Sequence, residues 1–137
     1  MRIDRVTDLD EIMQCLPFER EIRKKGRDRM READMILFVQ SQLGNPFFAF
    51  LIAYDEDNNF IGYAIGILNL IPGCKRLYIA RMYAKDKDVR IGLEKTLVDW
   101  AKLHKVNLAQ ITVCKNIKAY KRLYGYVPVS VNMERRY

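Results

Sequence analysis

Histidine occurs once in this chain, at His104, and cysteine three times, at Cys15, Cys74 and Cys114, with no CxxC spacing and no clustering of the two residue types. That scarcity excludes a Cys/His zinc site of ordinary spacing, and no metal ligands are expected. An odd number of scattered thiols argues against a disulfide scaffold and fits a reducing cytoplasm. The thiols read as small buried apolar side chains, because no base stands beside them. No apolar run approaches the roughly 20 residues a membrane span needs. Arg2, Asp4 and Arg5 break up the N-terminus, so no signal peptide is expected. Repeats, low-complexity tracts and inter-domain linkers are also missing.

What remains is a chain of 137 residues, half of them apolar, which suits one domain over 1–137 with one continuous core. Its net charge of +7 creates a positive field that draws anions, whether nucleotides, nucleic acid or acidic proteins.

The chemical pattern changes period along the chain. Residues 2–6 alternate as a short strand, and Thr7 with Asp8 offers an N-cap for a helix through Leu9, Ile12, Met13 and Leu16 that Pro17 is expected to stop. Residues 19–34 crowd charges of both signs and suit a solvated segment. Asp34 is then expected to cap a helix through Met35, Ile36, Phe38, Val39 and Leu43, ended by Gly44-Asn45-Pro46. Apolar, β-branched runs at 47–54, 60–70 and 76–84, separated by short turns, predict an antiparallel three-strand meander. Leu93, Leu97, Trp100, Ala101 and His104 share one helical face, with Lys95, Asp99 and Lys102 opposite. A strand at 108–114, a short helix capped by Asn116 and running to Tyr124, and a closing strand at 127–133 complete an α/β fold with a mixed sheet.

That order, strand, two helices, meander, helix, strand, helix, strand, resembles the GNAT superfamily of acyl-CoA N-acyltransferases over essentially the whole chain. Local sequence strengthens the likeness. Residues 81–97 resemble the family's fourth strand, pyrophosphate loop and following helix, and residues 116–126 resemble its segment of asparagine, alanine, tyrosine, glycine and aromatic. The family's loop pattern is Arg or Gln, two residues, Gly, one residue, Gly or Ala. Aligned through Gly92 and Leu97, this chain supplies Val89, Gly92 and Glu94.

The resemblance implies acetyl-CoA as cosubstrate, with contacts at Met82, Tyr83, Ala84, Lys87, Val89, Arg90, Ile91, Gly92, Leu93 and Asn116. A helix N-terminus presents unpaired N–H groups and a partial positive charge to a diphosphate, which is the physical logic of such a loop. Glu94, expected within the first helical turn, opposes that anion. Lys85, Lys87 and Arg90 offset it, while Asp86 and Asp88 cut the local surplus to about one positive charge. Backbone amides near Met82 to Ala84 are implied to polarise the acyl carbonyl.

For the proton owed to the leaving thiolate, the resemblance implies a tyrosine of the last helix: Tyr120 fits best by its distance from Asn116 and Ala119, and Tyr124 is next. A phenol with an ordinary pKa of about 10 is protonated at neutral pH and suited to be a general acid. No carboxylate has a context that marks it as the general base. The implied activity is transfer of acetyl from acetyl-CoA to a primary amine of a small molecule or protein by direct attack, with acceptor contacts expected at residues 19–34 and 55–59. The alternative is a GNAT-fold protein without catalysis that binds a protein or nucleic acid through basic residues such as Lys115, Lys118, Lys121 and Arg122. A homodimer through the closing strand or an exposed aromatic patch is compatible with either.

Overall fold

The computed structural model describes residues 1–18, 20, 32–112, 117–129, 133 and 135–136. A five-stranded sheet has the order β1 (Arg2–Arg5), β2 (Phe48–Tyr54), β3 (Phe60–Asn69), β4 (Arg76–Ala84), β5 (Ala109–Gln110). The first four strands are antiparallel and β5 joins β4 in parallel, which makes the sheet mixed. The helices are α1 (Leu9–Ile12), α2 (Glu32–Gln42), α3 (Lys87–Leu103) and α4 (Ile117–Tyr124). None of the described helices is long and apolar enough to cross a membrane.

Alternation along β2 and β3 gives the sheet two different faces. Ala49, Leu51, Ala53, Ala64 and Leu68 face α3 and pack with its Val89, Leu93, Leu97 and Ala101. Phe48, Phe50, Ile52, Tyr54 and Tyr63 face the other way, onto α1 and α2 through Ile12, Cys15, Met35 and Val39. Covering both faces buries β2 from end to end. Two positions of the α3 face are glycine for a steric reason. A Cβ on Gly66 would stand 2.7 Å from Leu97 Cδ2, and one on Gly62 would stand 2.9 Å from Val89 Cγ1 and 2.7 Å from the Tyr83 carbonyl oxygen. Glycine at these two points lets a 17-residue helix lie directly on the strands.

Several boundaries differ from the sequence expectation. Asp8 does cap α1, its carboxylate accepting from the Asp10 amide at 3.0 Å. The helix then tightens into a 3₁₀ turn over Met13–Cys15, and residues 16–18 are helical again, so Pro17 does not end it. Proline is tolerated there because a first helical turn has no use for its missing N–H. Asp34 is not the cap of α2, which starts at Glu32; its carboxylate lies in the first turn, where it favours the helix dipole.

The closing strand is absent among the described residues. Val127 and Val129 lie outside any strand and are 69% and 73% exposed, and residues 130–132 fall outside the description. Their alternation supplies a pattern, but a strand also needs an edge to pair with, and β5 is only two residues long. Residues 111–112 likewise lie beyond β5, and 113–116, with Cys114 and Asn116, are outside the description. Cys15 is buried, whereas Cys74, just past the Pro72-Gly73 turn, is exposed rather than packed.

Candidate active site

The sheet opens where β4 and β5 part. Their parallel pairing covers only Leu77 with Ala109 and Tyr78 with Gln110, whereas β4 continues six residues further to Ala84. Along that stretch β4 stays paired to β3 on its other side, through Gly62 opposite Ala84, Tyr63 opposite Tyr83 and Ala64 opposite Met82. Ala80 is an extra residue in the ladder, since Ile65 faces Arg81 and Gly66 faces Ile79. Such a bulge bends and twists its strand. The last six of the nine residues of β4 therefore have no strand beside them on the β5 side among the described residues. Met82 and Ala84 pack towards α3, and Tyr83 packs on the opposite face against Phe18 at a ring distance of 4.6 Å.

Two residues, Lys85 and Asp86, separate β4 from α3. The helix thus starts five residues before Gly92, so that much of the segment resembling a pyrophosphate loop is already helical. Asp86 is its N-cap: the backbone is extended, and the carboxylate accepts from the Val89 amide at 2.9 Å. The sequence signal for this cap is an aspartate three residues ahead of Val89, and the residue that lowers the local charge is also the one that starts the helix. One amide expected to meet a diphosphate is consequently held by the chain's own carboxylate. The amides of Lys87 and Asp88 also stand at the head of the helix, where no intrahelical acceptor exists.

Starting at Lys87 also moves Glu94. It lies seven residues in, roughly two turns along, and does not sit in the first turn as expected. There its Oε1 accepts from the Tyr126 hydroxyl at 2.9 Å. Gly92 has its own neighbours: a Cβ there would stand 2.6 Å from Met1 Cε and 3.2 Å from Ile3 Cδ1, so its open side faces the first strand. Val89 and Leu93 turn their side chains into the core, while Ile91 is exposed.

Arg90 lies under α4. Its guanidinium stands 4.4 Å from the centre of the Tyr124 ring and 4.9 Å from that of Tyr120. The two rings are 5.5 Å apart, and Tyr126 lies 6.2 Å from Tyr120. Cation–π attraction holds such an arrangement, and it is stronger where water is displaced. The structure thus brings together Arg90, Tyr120 and Tyr124 from the expected set, with Glu94 and Tyr126 added. Burial, together with the hydrogen bond to Glu94 and its charge, pushes the Tyr126 hydroxyl well above the ordinary phenol range. Asn116 falls outside the described residues. His104 ends α3 with its ring 5.6 Å from Phe47 and 5.8 Å from Trp100, a packing position away from the cleft. No group of three or more His, Cys, Asp or Glu side chains placed to hold a metal ion occurs among the described residues.

No family model and no curated protein sequence matches the chain. Solved structures do. A predicted acetyltransferase from Clostridium acetobutylicum, determined with acetyl-CoA, superposes with a TM-score of 0.77 at 19% identity, covering 98% of this chain and 95% of that one. An aminoglycoside acetyltransferase from an uncultured soil metagenomic sample gives 0.75 at 12% identity over 99% and 95%. The ribosomal-protein-alanine N-acetyltransferase of Brucella melitensis biovar Abortus gives 0.71 at 16% identity over 99% and 100%. At these identities the likeness is one of fold, and it extends over the full chain.

Proposed function

We propose that this chain, which has the GNAT fold of those acetyltransferases, is an acetyl-CoA-dependent N-acetyltransferase acting on a primary amine. The observation that carries the reading is the parting of β4 from β5 after Tyr78 beside the head of α3. An extended thioester arm fits along a strand edge freed of its neighbour, since backbone groups there are left to pair with amides of a ligand. Lys85 and Lys87 flank the head of α3 and supply charge for a diphosphate, joined by the Lys87 and Asp88 amides.

Acetyl-CoA supplies an activated acetyl group and a thiolate leaving group. The chain's part is to position and to manage protons. The β4 edge orients the acyl carbonyl towards an attacking amine, which must arrive having lost one proton. Tyr120 and Tyr124 stand on the helix next to the head of α3 and are the hydroxyls available to return a proton to the departing sulfur. Arg90, between them and α3, fixes their rings and keeps positive charge near the leaving group.

Calorimetric titration with acetyl-CoA, followed by a transfer assay over a panel of primary amines, tests this reading. Saturable heat and acetylated amine are expected; no heat at millimolar acetyl-CoA overturns it. One observation favours a second reading, a GNAT-fold protein that binds a protein or nucleic acid without catalysis: the Asp86 carboxylate already caps the helix that would face the diphosphate. Under that reading the purified protein carries no coenzyme A by native mass spectrometry and turns over no amine.

A further inference from the structure

Helix α4 buries none of its described side chains completely. Ala119, Tyr120 and Tyr124 are half-buried, and Lys118, Lys121, Arg122 and Leu123 are exposed. Among the described side chains, from Lys118 onward, apolar burial therefore does little to fix its place, although two candidate proton donors sit on it. What it does have is a polar anchor. Gly125 takes a left-handed φ of 70°, which reverses the chain directly after the helix. The Tyr126 amide then donates back to the Tyr120 carbonyl at 3.3 Å. This return brings the Tyr126 hydroxyl to Glu94 Oε1 at 2.9 Å, across 32 residues of sequence. The other carboxylate oxygen, Oε2, is buried without a hydrogen-bond partner.

We propose that Glu94 and Tyr126 are a positioning pair that docks α4 onto α3 and so sets where Tyr120 and Tyr124 stand over Arg90. The consequence for turnover rests on the acetyltransferase reading; the docking does not. A hydrogen bond to an ionised carboxylate is stronger and more directional than one between neutral groups. Arg90 lies one turn before Glu94 on the same side of α3 and holds the two other tyrosines by their faces, so α4 is gripped at two successive turns. Glu94 occupies the place where the family pattern has Gly or Ala, and the longer side chain is what reaches α4. In this chain that position serves the seating of a helix.

Hydrogen exchange of the amides of residues 117–124, read together with acetyl-transfer kinetics, tests the pair through Tyr126→Phe, Glu94→Ala and Glu94→Gln. Tyr126→Phe and Glu94→Ala are each expected to speed exchange in α4 about tenfold, with residues 87–103 unchanged. The double variant is expected to be no worse than the poorer single one, as for two members of one contact. Glu94→Gln keeps an acceptor oxygen and is expected to restore most of the protection. In turnover, kcat falls about tenfold while KM for acetyl-CoA stays within about twofold, the signature of a misplaced proton donor rather than lost binding. Unchanged exchange in α4, or Glu94→Gln as disruptive as Glu94→Ala, overturns the docking pair. Faster exchange with kcat unaltered overturns its link to Tyr120 and Tyr124. Faster exchange in a protein that transfers no acetyl group overturns the acetyltransferase reading alone and upholds the docking.

Discussion

Two glycines of the α3 contact differ in what a methyl group would meet. At Gly62 the obstacle is the Tyr83 carbonyl oxygen at 2.7 Å, a backbone atom in a paired strand. At Gly92 it is Met1 Cε at 2.6 Å, the far end of a flexible side chain. Gly62→Ala is accordingly expected to cost about 1–3 kcal/mol through overpacking. Gly92→Ala should be neutral or stabilising by up to about 1 kcal/mol, since alanine is the better helix former. Urea melts of both variants check the contrast, and a Gly92→Ala loss as large as that of Gly62→Ala would show that Gly92 is held by more than Met1. Tyr54 offers a second test at this scale. Burial and a 2.5 Å hydrogen bond to Glu11 push its hydroxyl well above the ordinary phenol range. A group whose pKa is raised on folding stabilises the native state in full below its unfolded pKa and loses that contribution as pH rises. Stability should therefore fall above about pH 10. Chemical denaturation of wild type and Tyr54→Phe at pH 8 and pH 10.5 should show a smaller alkaline loss in the variant, with Tyr126 accounting for a remainder.

Among the elements, α3 carries the decisive boundary. Its first turn holds Asp86 as cap and Asp88 beside it, two carboxylates where an anionic ligand would be received. Asp86→Ala removes the cap and is expected to cost about 1 kcal/mol of stability. Asp86→Asn keeps a capping oxygen and removes the charge. It should leave the melting midpoint nearly unchanged and tighten acetyl-CoA binding about twofold to fivefold, the effect of one charge at a helix N-terminus. Isothermal titration measures that change, and weaker binding by Asp86→Asn would place the ligand elsewhere. The elements themselves were largely legible in the sequence. The meander followed from three β-branched runs, and the buried stripe of α3 from Leu93, Leu97 and Ala101. Its starting point was not, because Lys85 to Asp88 alternate in charge with no apolar residue to mark a helical period, and only the structure shows Asp86 accepting from Val89. The closing strand is a different case: only Val127–Val129 and Met133 of it are described, they lie outside any strand, and Pro128 between the two valines cannot donate to a ladder.

For the whole molecule, the two cores are not independent. They share β2 and β3, whose alternate residues supply one face and then the other, so neither can melt while the other keeps its strands. A single cooperative thermal transition is expected, with fluorescence of Trp100 and far-ultraviolet dichroism giving the same midpoint. Separate midpoints would mean that the α1 and α2 face unfolds on its own.

Local periodicity and composition by themselves determined the strand meander, the long helix, the positive charge and a likeness in element order to acetyltransferases, because each is a property of neighbours along the chain. The parting of β4 from β5, the seating of Arg90 beneath Tyr120 and Tyr124, and the reach of Tyr126 to Glu94 were decided only by the tertiary structure. These depend on how α4 docks, through contacts between residues some thirty positions apart, and no spacing within either helix encodes that angle.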